Sequence, residues 1–222
     1  MTQPITVSGP VIVPPDQAAG YLARMDVDVA DIHAAVANGE VAATTITGYH
    51  PHNVAGLARW IAMVGSLRRR LDETGRWSLG DAANRPVCRH RTGDWSVAVV
   101  CGDAATGDPG SVVGPRAARR KGAATARAVR EQESLIPLTD LVFSRVVDAA
   151  GDPPPGNWIV LYHRGVDGVR LELSLPLGFD EEEGQFTGWA VRVLLDDWVP
   201  ETAAVPRDVP RVDLSFHVLD AA

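Results

Sequence analysis

The chain has 222 residues, 45% hydrophobic and 22% charged, which suits a globular protein able to bury a sizeable core; no stretch approaches the ~20 apolar residues of a membrane span. Two cysteines make no disulfide framework, which fits a reducing cytoplasm, and the N-terminal MTQPITVSGPVIVPPD lacks the basic and apolar regions of a signal peptide. The formal net charge of -7 hides a split: residues 59–130 hold fourteen Arg or Lys against six Asp or Glu (+8), and the remainder seven against twenty-two (-15).

Residues 1–15, rich in Pro and Val, read as an extended arm. Asp16 caps a helix through Met25, and Asp28 caps another that ends at Asn38-Gly39. Asn53 then opens the clearest helix, with Val54, Leu57, Ile61, Val64, Leu67 and Leu71 at helical spacing and Gly75 at the stop. WSVAVVCGD (95–103) reads as a short buried strand. The segment 116–133 becomes helical from Ala123, and LIPLTDLVFSRVV (135–147) makes a further helix with Pro137 in its first turn. DPPPGN (152–157) is the strongest break. After it the period changes to two, with strands at 158–163, 169–175, 189–195 and 211–218 forming a meander, and the acidic run DEEE (180–183) in one of its loops. The expectation is an α+β fold in one domain: an N-terminal helical half (about 16–150) packed on a C-terminal antiparallel β-meander (about 157–219).

Three groups of residues could carry function. In the first hairpin, His163, Arg170 and Glu172 fall on the face turned away from the apolar one, either as a site at the strand end or as a charge pair and a histidine on the wet face of an ordinary hairpin. Glu172 is followed by Leu173 and Ser174, so the Glu-x-Lys of a restriction-type nuclease is absent. Cys88, His90 and Cys101 offer zinc-type ligands, but a structural site needs a fourth, for which His50 or His52 would have to serve; no metal or other cofactor is expected. His50-Pro51-His52, Asn53 and the loop 102–107 could touch phosphate, although no Walker loop, G-x-S-x-G or H-E-x-x-H occurs.

The third group is the basic segment: Arg116, Arg119, Arg120, Lys121, Arg127 and Arg130, with Arg68, Arg69 and Arg70 in support. Free in solution it would bind duplex DNA or an acidic protein; otherwise it pairs with the chain's own carboxylates. No aromatic residue interleaves with it, so stacking on single strands is not indicated.

LYHRGVDGVRLELSLP and GQFTGWAVRVLL, within 161–195, resemble a pattern in uncharacterised bacterial proteins encoded near restriction and phage-defence genes. The resemblance implies a setting beside DNA-targeting machinery and carries over no catalytic residue. Together these features lead to a non-enzymatic binding or accessory subunit, with a hydrolase or nuclease-like site around His163 and a structural homo-oligomer as the alternatives.

Overall fold

A computed structural model describes residues 9–111, 113–135 and 151–200. Helix α1 (Pro15–Ala23) begins on a proline whose missing N–H costs nothing in a first turn, so Asp16 lies inside the helix instead of capping it. Helix α2 (Val29–Thr44) is capped by Asp28, whose carboxylate accepts the Ala30 amide at 2.8 Å. It does not stop at Asn38-Gly39. A Cβ on Gly39 would lie 2.5 Å from the Met63 side chain, so that glycine lets α2 approach α3 (Val54–Glu73) closely. Gly75, at φ +70, follows the end of α3.

The remaining elements are β2 (Trp77–Ala82), β3 (Arg85–His90), β4 (Trp95–Cys101), α4 (Ala123–Leu135), β5 (Gly156–Arg164), β6 (Val169–Asp180) and β7 (Gln185–Trp198). With β1 (Val11–Val13) the strands of the described residues form one seven-stranded sheet in the order β1-β7-β6-β5-β4-β3-β2. This corrects the expected architecture. There is no helical half set against a separate antiparallel meander: four of the seven strands precede the 152–157 break, and the sheet is mixed, with β1 parallel to β7 and β4 parallel to β5. The long connection from residue 102 to 155 is what permits a parallel β4–β5 pair, because such pairs need a crossover. The β2–β3 hairpin escapes a sequence reading because Ala83 and Asn84, at φ 53 and 59, make its turn without a glycine. The expected strand at 211–218, and the expected helix at 135–147 beyond Leu135, lie outside the described residues.

Alternation along the central strands builds two cores. Trp158, Val160 and Tyr162 of β5, with Leu171, Leu173 and Leu175 of β6, pack with α1, α2 and α3. Ile159 and Leu161 face the other way, against Val129 of α4, Ala117, Val87 and Trp189. The second face of the meander, expected to be wet, is therefore covered by the chain between β4 and β5. Among the described residues no helix is long and apolar enough to cross a membrane.

Candidate functional site

The site begins at the carboxyl ends of the parallel pair β4 and β5, where α/β sheets commonly place ligands. Cys101 and Tyr162 are register partners there and share a side-chain hydrogen bond. On one side stands the first half of α3. The β3–β4 ladder ends at Cys88–Val97; Pro86, two residues further, has no N–H for a ladder bond, and the Trp60 indole of α3 donates to the Val99 carbonyl at 3.1 Å instead. This contact holds α3 against the strand end. Leu57 and Ile61, expected on its buried stripe, are 51% and 56% exposed, and Leu57 lines the site.

The opposite wall is a strap over residues 116–121. The Ala118 amide donates to the Cys101 carbonyl at 2.8 Å, and the Lys121 amide to the Gly184 carbonyl at 2.9 Å. Gln185 completes the clamp: its side-chain amide bonds both the N–H and the C=O of Ala117, at 3.0 and 3.1 Å, as a strand neighbour would. Between the walls lies a cavity of about 270 Å3, lined by Leu57, Arg59, Trp60, Cys101, Arg119, Lys121, Tyr162 and Arg164.

Its charge is strongly one-sided. Glu40 of α2 accepts from both Arg59 and Arg164, the latter at 3.0 Å, so one carboxylate serves two guanidinium groups. Arg119 and Lys121 have no carboxylate partner among the described residues, which leaves the cavity with a positive surplus. Burial pushes the Lys121 ammonium below its usual range; the neighbouring Cys101 thiol opposes that shift and Arg119 adds to it. Burial also raises the Cys101 thiol, against the pull of Tyr162 and the surrounding cations. A thiol held protonated is a poor nucleophile. The arrangement suits capture of an anion by pre-placed cations better than covalent chemistry.

No family model, curated protein or solved structure matches this chain. The likeness over 161–195 therefore stands on those residues alone.

The structure sorts the basic segment three ways. Arg130 pairs with Glu181 at 2.9 Å, Arg116 with Glu183 at 3.5 Å, and Arg120 donates to the Glu182 carbonyl. The loop that carries the acidic run is thus the internal partner of half the segment. Arg119 and Lys121 turn into the cavity, and Arg127 lines a different cleft. Arg68 and Arg70 are engaged by Asp81 (2.8 Å) and Asp31 (3.1 Å), while Arg69 is exposed. Their helix packs on the sheet face opposite α4, so they do not extend the patch formed by Arg127 and Arg130.

The hairpin residues part company as well. His163 and Arg170 are cross-strand partners, and the His163 ring lies 3.3 Å from the Gly102 carbonyl. Glu172 is not on a wet face: it and Arg192 are both 0% exposed, joined at 2.6 and 3.2 Å. The carboxylate also accepts from Ser174 (2.7 Å) and the Gly107 amide (2.8 Å), so none of its oxygens faces His163 or Arg170 as a base. The same contact takes the Gly107 amide from any phosphate at loop 102–107. Arg192 in turn donates to the Ser111 and Ala105 carbonyls, pinning that loop to the sheet.

Cys88, His90 and Cys101 are not brought together. Cys88 stands opposite Val97, four residues before Cys101, a separation of about 13 Å along a strand. His90 accepts the Gly93 amide on Nδ1 (2.7 Å), gives its Nε2 proton to Asp26 (2.9 Å), and is flanked by Trp77 and Trp95, which leaves no nitrogen for a metal. Among the described residues there is no group of three potential ligands. His50 takes the Thr47 amide on its Nδ1 at 3.1 Å, and His52 is exposed.

Sequence reasoning passed over Glu40, Arg59, Trp60, Tyr162 and Arg164. Each reads locally as part of a helix or strand, and only the approach of α3 to the β4–β5 end collects them. The two thiols supply a check. Burial raises Cys88 to about 11, so at pH 8 its alkylation should run about a hundredfold slower than that of a free thiol. Cys101, which opens to the cavity, should be alkylated first. Mass spectrometry after timed iodoacetamide treatment reads this directly, and equal labelling of both would contradict the cavity.

Proposed function

We propose that the protein is a non-enzymatic binding protein that takes an acidic segment of a partner protein into the cavity between α3 and the 116–121 strap. The observation that carries this reading is the convergence of Arg59, Arg119, Lys121 and Arg164 on one cavity with a single carboxylate among them. The exposed Leu57 among those cations, with Ile61 exposed one turn further along α3, favours a peptide that mixes acidic and apolar side chains. Duplex DNA is the weaker partner, because Glu181, Glu182 and Glu183 lie along Arg116, Arg120 and Arg130 and would face its phosphates. The resemblance over 161–195 suggests that such a partner belongs to a restriction or phage-defence assembly.

A fluorescent peptide of alternating Glu and Leu should bind the intact protein at low salt and lose affinity as salt rises. The double variant Arg119→Glu, Lys121→Glu should weaken it by at least about tenfold, a loss of roughly 1.4 kcal/mol. Arg76→Glu, an exposed change after α3, should not. Displacement of the peptide by a short DNA duplex, with loss of duplex binding in the same double variant, would show that DNA is the partner and end this reading.

A further inference from the structure

A second cationic cleft, of about 120 Å3, opens between β3 and α4 and is lined by Arg85, Arg89, Arg127, Glu131 and Asn157 among others. Its residues arrive there by simple periodicity. Arg85, Val87 and Arg89 alternate onto the α4-facing side of β3, where Val87 is buried in the core beside Val129, so the two arginine stems flank an apolar anchor. Arg127 and Glu131, one turn apart on α4, come down onto them.

Three arginines thus line a small cleft with one carboxylate among the described residues. Burial pulls Arg85 down to about 10, Arg89 pushes it the same way, and Glu131 opposes both. A desolvated cation held beside a second one is costly unless an anion joins it. Guanidinium forks match a tetrahedral oxyanion through paired N–H donors. The volume is well below the roughly 300 Å3 at which pockets for organic ligands usually begin, so it suits one such group and not a whole nucleotide.

We infer that the cleft between β3 and α4 binds a single phosphate-type oxyanion through Arg85, Arg89 and Arg127. This site is separate from the cavity at the β4–β5 end and does not rest on the acidic-partner reading.

The test uses the whole chain and inorganic phosphate, with sodium chloride at equal ionic strength as the control. Phosphate should raise Tm in a saturable way that chloride does not reproduce, and calorimetry on the Arg119→Glu, Lys121→Glu protein, whose other cavity has lost its free cations, should give a single site. Arg85→Gln and Arg127→Gln should each weaken phosphate binding at least tenfold, while Arg119→Gln, in the other cavity, should leave it unchanged. Phenyl phosphate added as a competitor distinguishes two sources of the group: competition identifies a phosphate monoester on a larger molecule, and failure to compete identifies the free ion. Arg127 is exposed on α4, so its variant keeps the test decisive even if Arg85→Gln fails to fold. The inference is overturned if phosphate gives no saturable effect beyond chloride. It is equally overturned if binding survives in Arg127→Gln, or is lost in Arg119→Gln.

Discussion

Arg192→Ala is expected to destabilise the protein by about 3–5 kcal/mol, the cost of leaving one partner of a buried ion pair uncompensated. In a chain of this size that corresponds to a fall in Tm of roughly 10 °C. The size follows from the surroundings. Glu172 and Arg192 are fully enclosed, and the remaining donors and acceptors of the pair are engaged by Ser174, the Gly107 amide and the Ala105 and Ser111 carbonyls. Removing the guanidinium strands a carboxylate and two carbonyls and releases the 102–111 loop from the sheet.

The double variant Glu172→Leu, Arg192→Met should be more stable than either single replacement, since the charge that must be desolvated disappears with its partner. It should still fall short of the native protein, because the loop groups lose their bonds. Thermal and urea unfolding of the four proteins gives the cycle. A loss of less than about 1 kcal/mol for Arg192→Ala would mean that the pair is wet and the loop is held by something else.

The second large effect is Gly156→Ala, expected to cost about 2–6 kcal/mol by combining a disallowed backbone conformation with overpacking. Gly156 opens β5 at φ +144, and a Cβ there would lie 2.8 Å from the Gln132 side-chain amide and from a Leu175 methyl. Gln132 cannot move aside. Its side chain is buried and bridges the Asn157 amide (2.8 Å) and the Pro176 carbonyl (3.0 Å), which ties α4 to the sheet. Gly20→Ala makes the opposite case: it sits inside α1 with no atom within 4 Å of the added methyl. There alanine should stabilise by about 0.5–1 kcal/mol. Chemical denaturation of both variants decides the matter, and the same sign for the two would refute this packing of β5 on α4.

Much of the local structure was legible in the sequence. The helical spacing from Val54 to Leu71, with Gly75 beyond, marks α3, and the helix expected from Ala123 is α4. The period-two pattern after Gly156 assigns Trp158, Val160 and Tyr162 to one face and Ile159 and Leu161 to the other, as the two cores confirm. The β2–β3 hairpin was not legible, since its turn is Ala-Asn and Leu79 is half exposed. The short β1 was not either, because three residues of an apparent arm become a strand only by lying along β7, some 180 residues later.

The candidate site divides in the same way. Arg116, Arg119, Arg120, Lys121, Arg127 and Arg130 could be read as a charged segment, but not which of them an acidic run more than fifty residues downstream would hold. The alternation that placed Glu172 on the second face of β6 was sound. What covers that face is Arg192 from β7 and the loop after β4, and this turned an expected surface carboxylate into the centre of a buried ion pair.

Which neighbours share a helix stripe or a strand face can thus be read along the chain, because those periods are fixed by backbone geometry within a few residues. Which faces meet water, which cations find carboxylates and which are left to line a cavity is set once the chain has folded. Those outcomes depend on contacts between segments remote along the chain, and a hydrophobic or charge pattern specifies that a face needs covering without naming the segment that covers it.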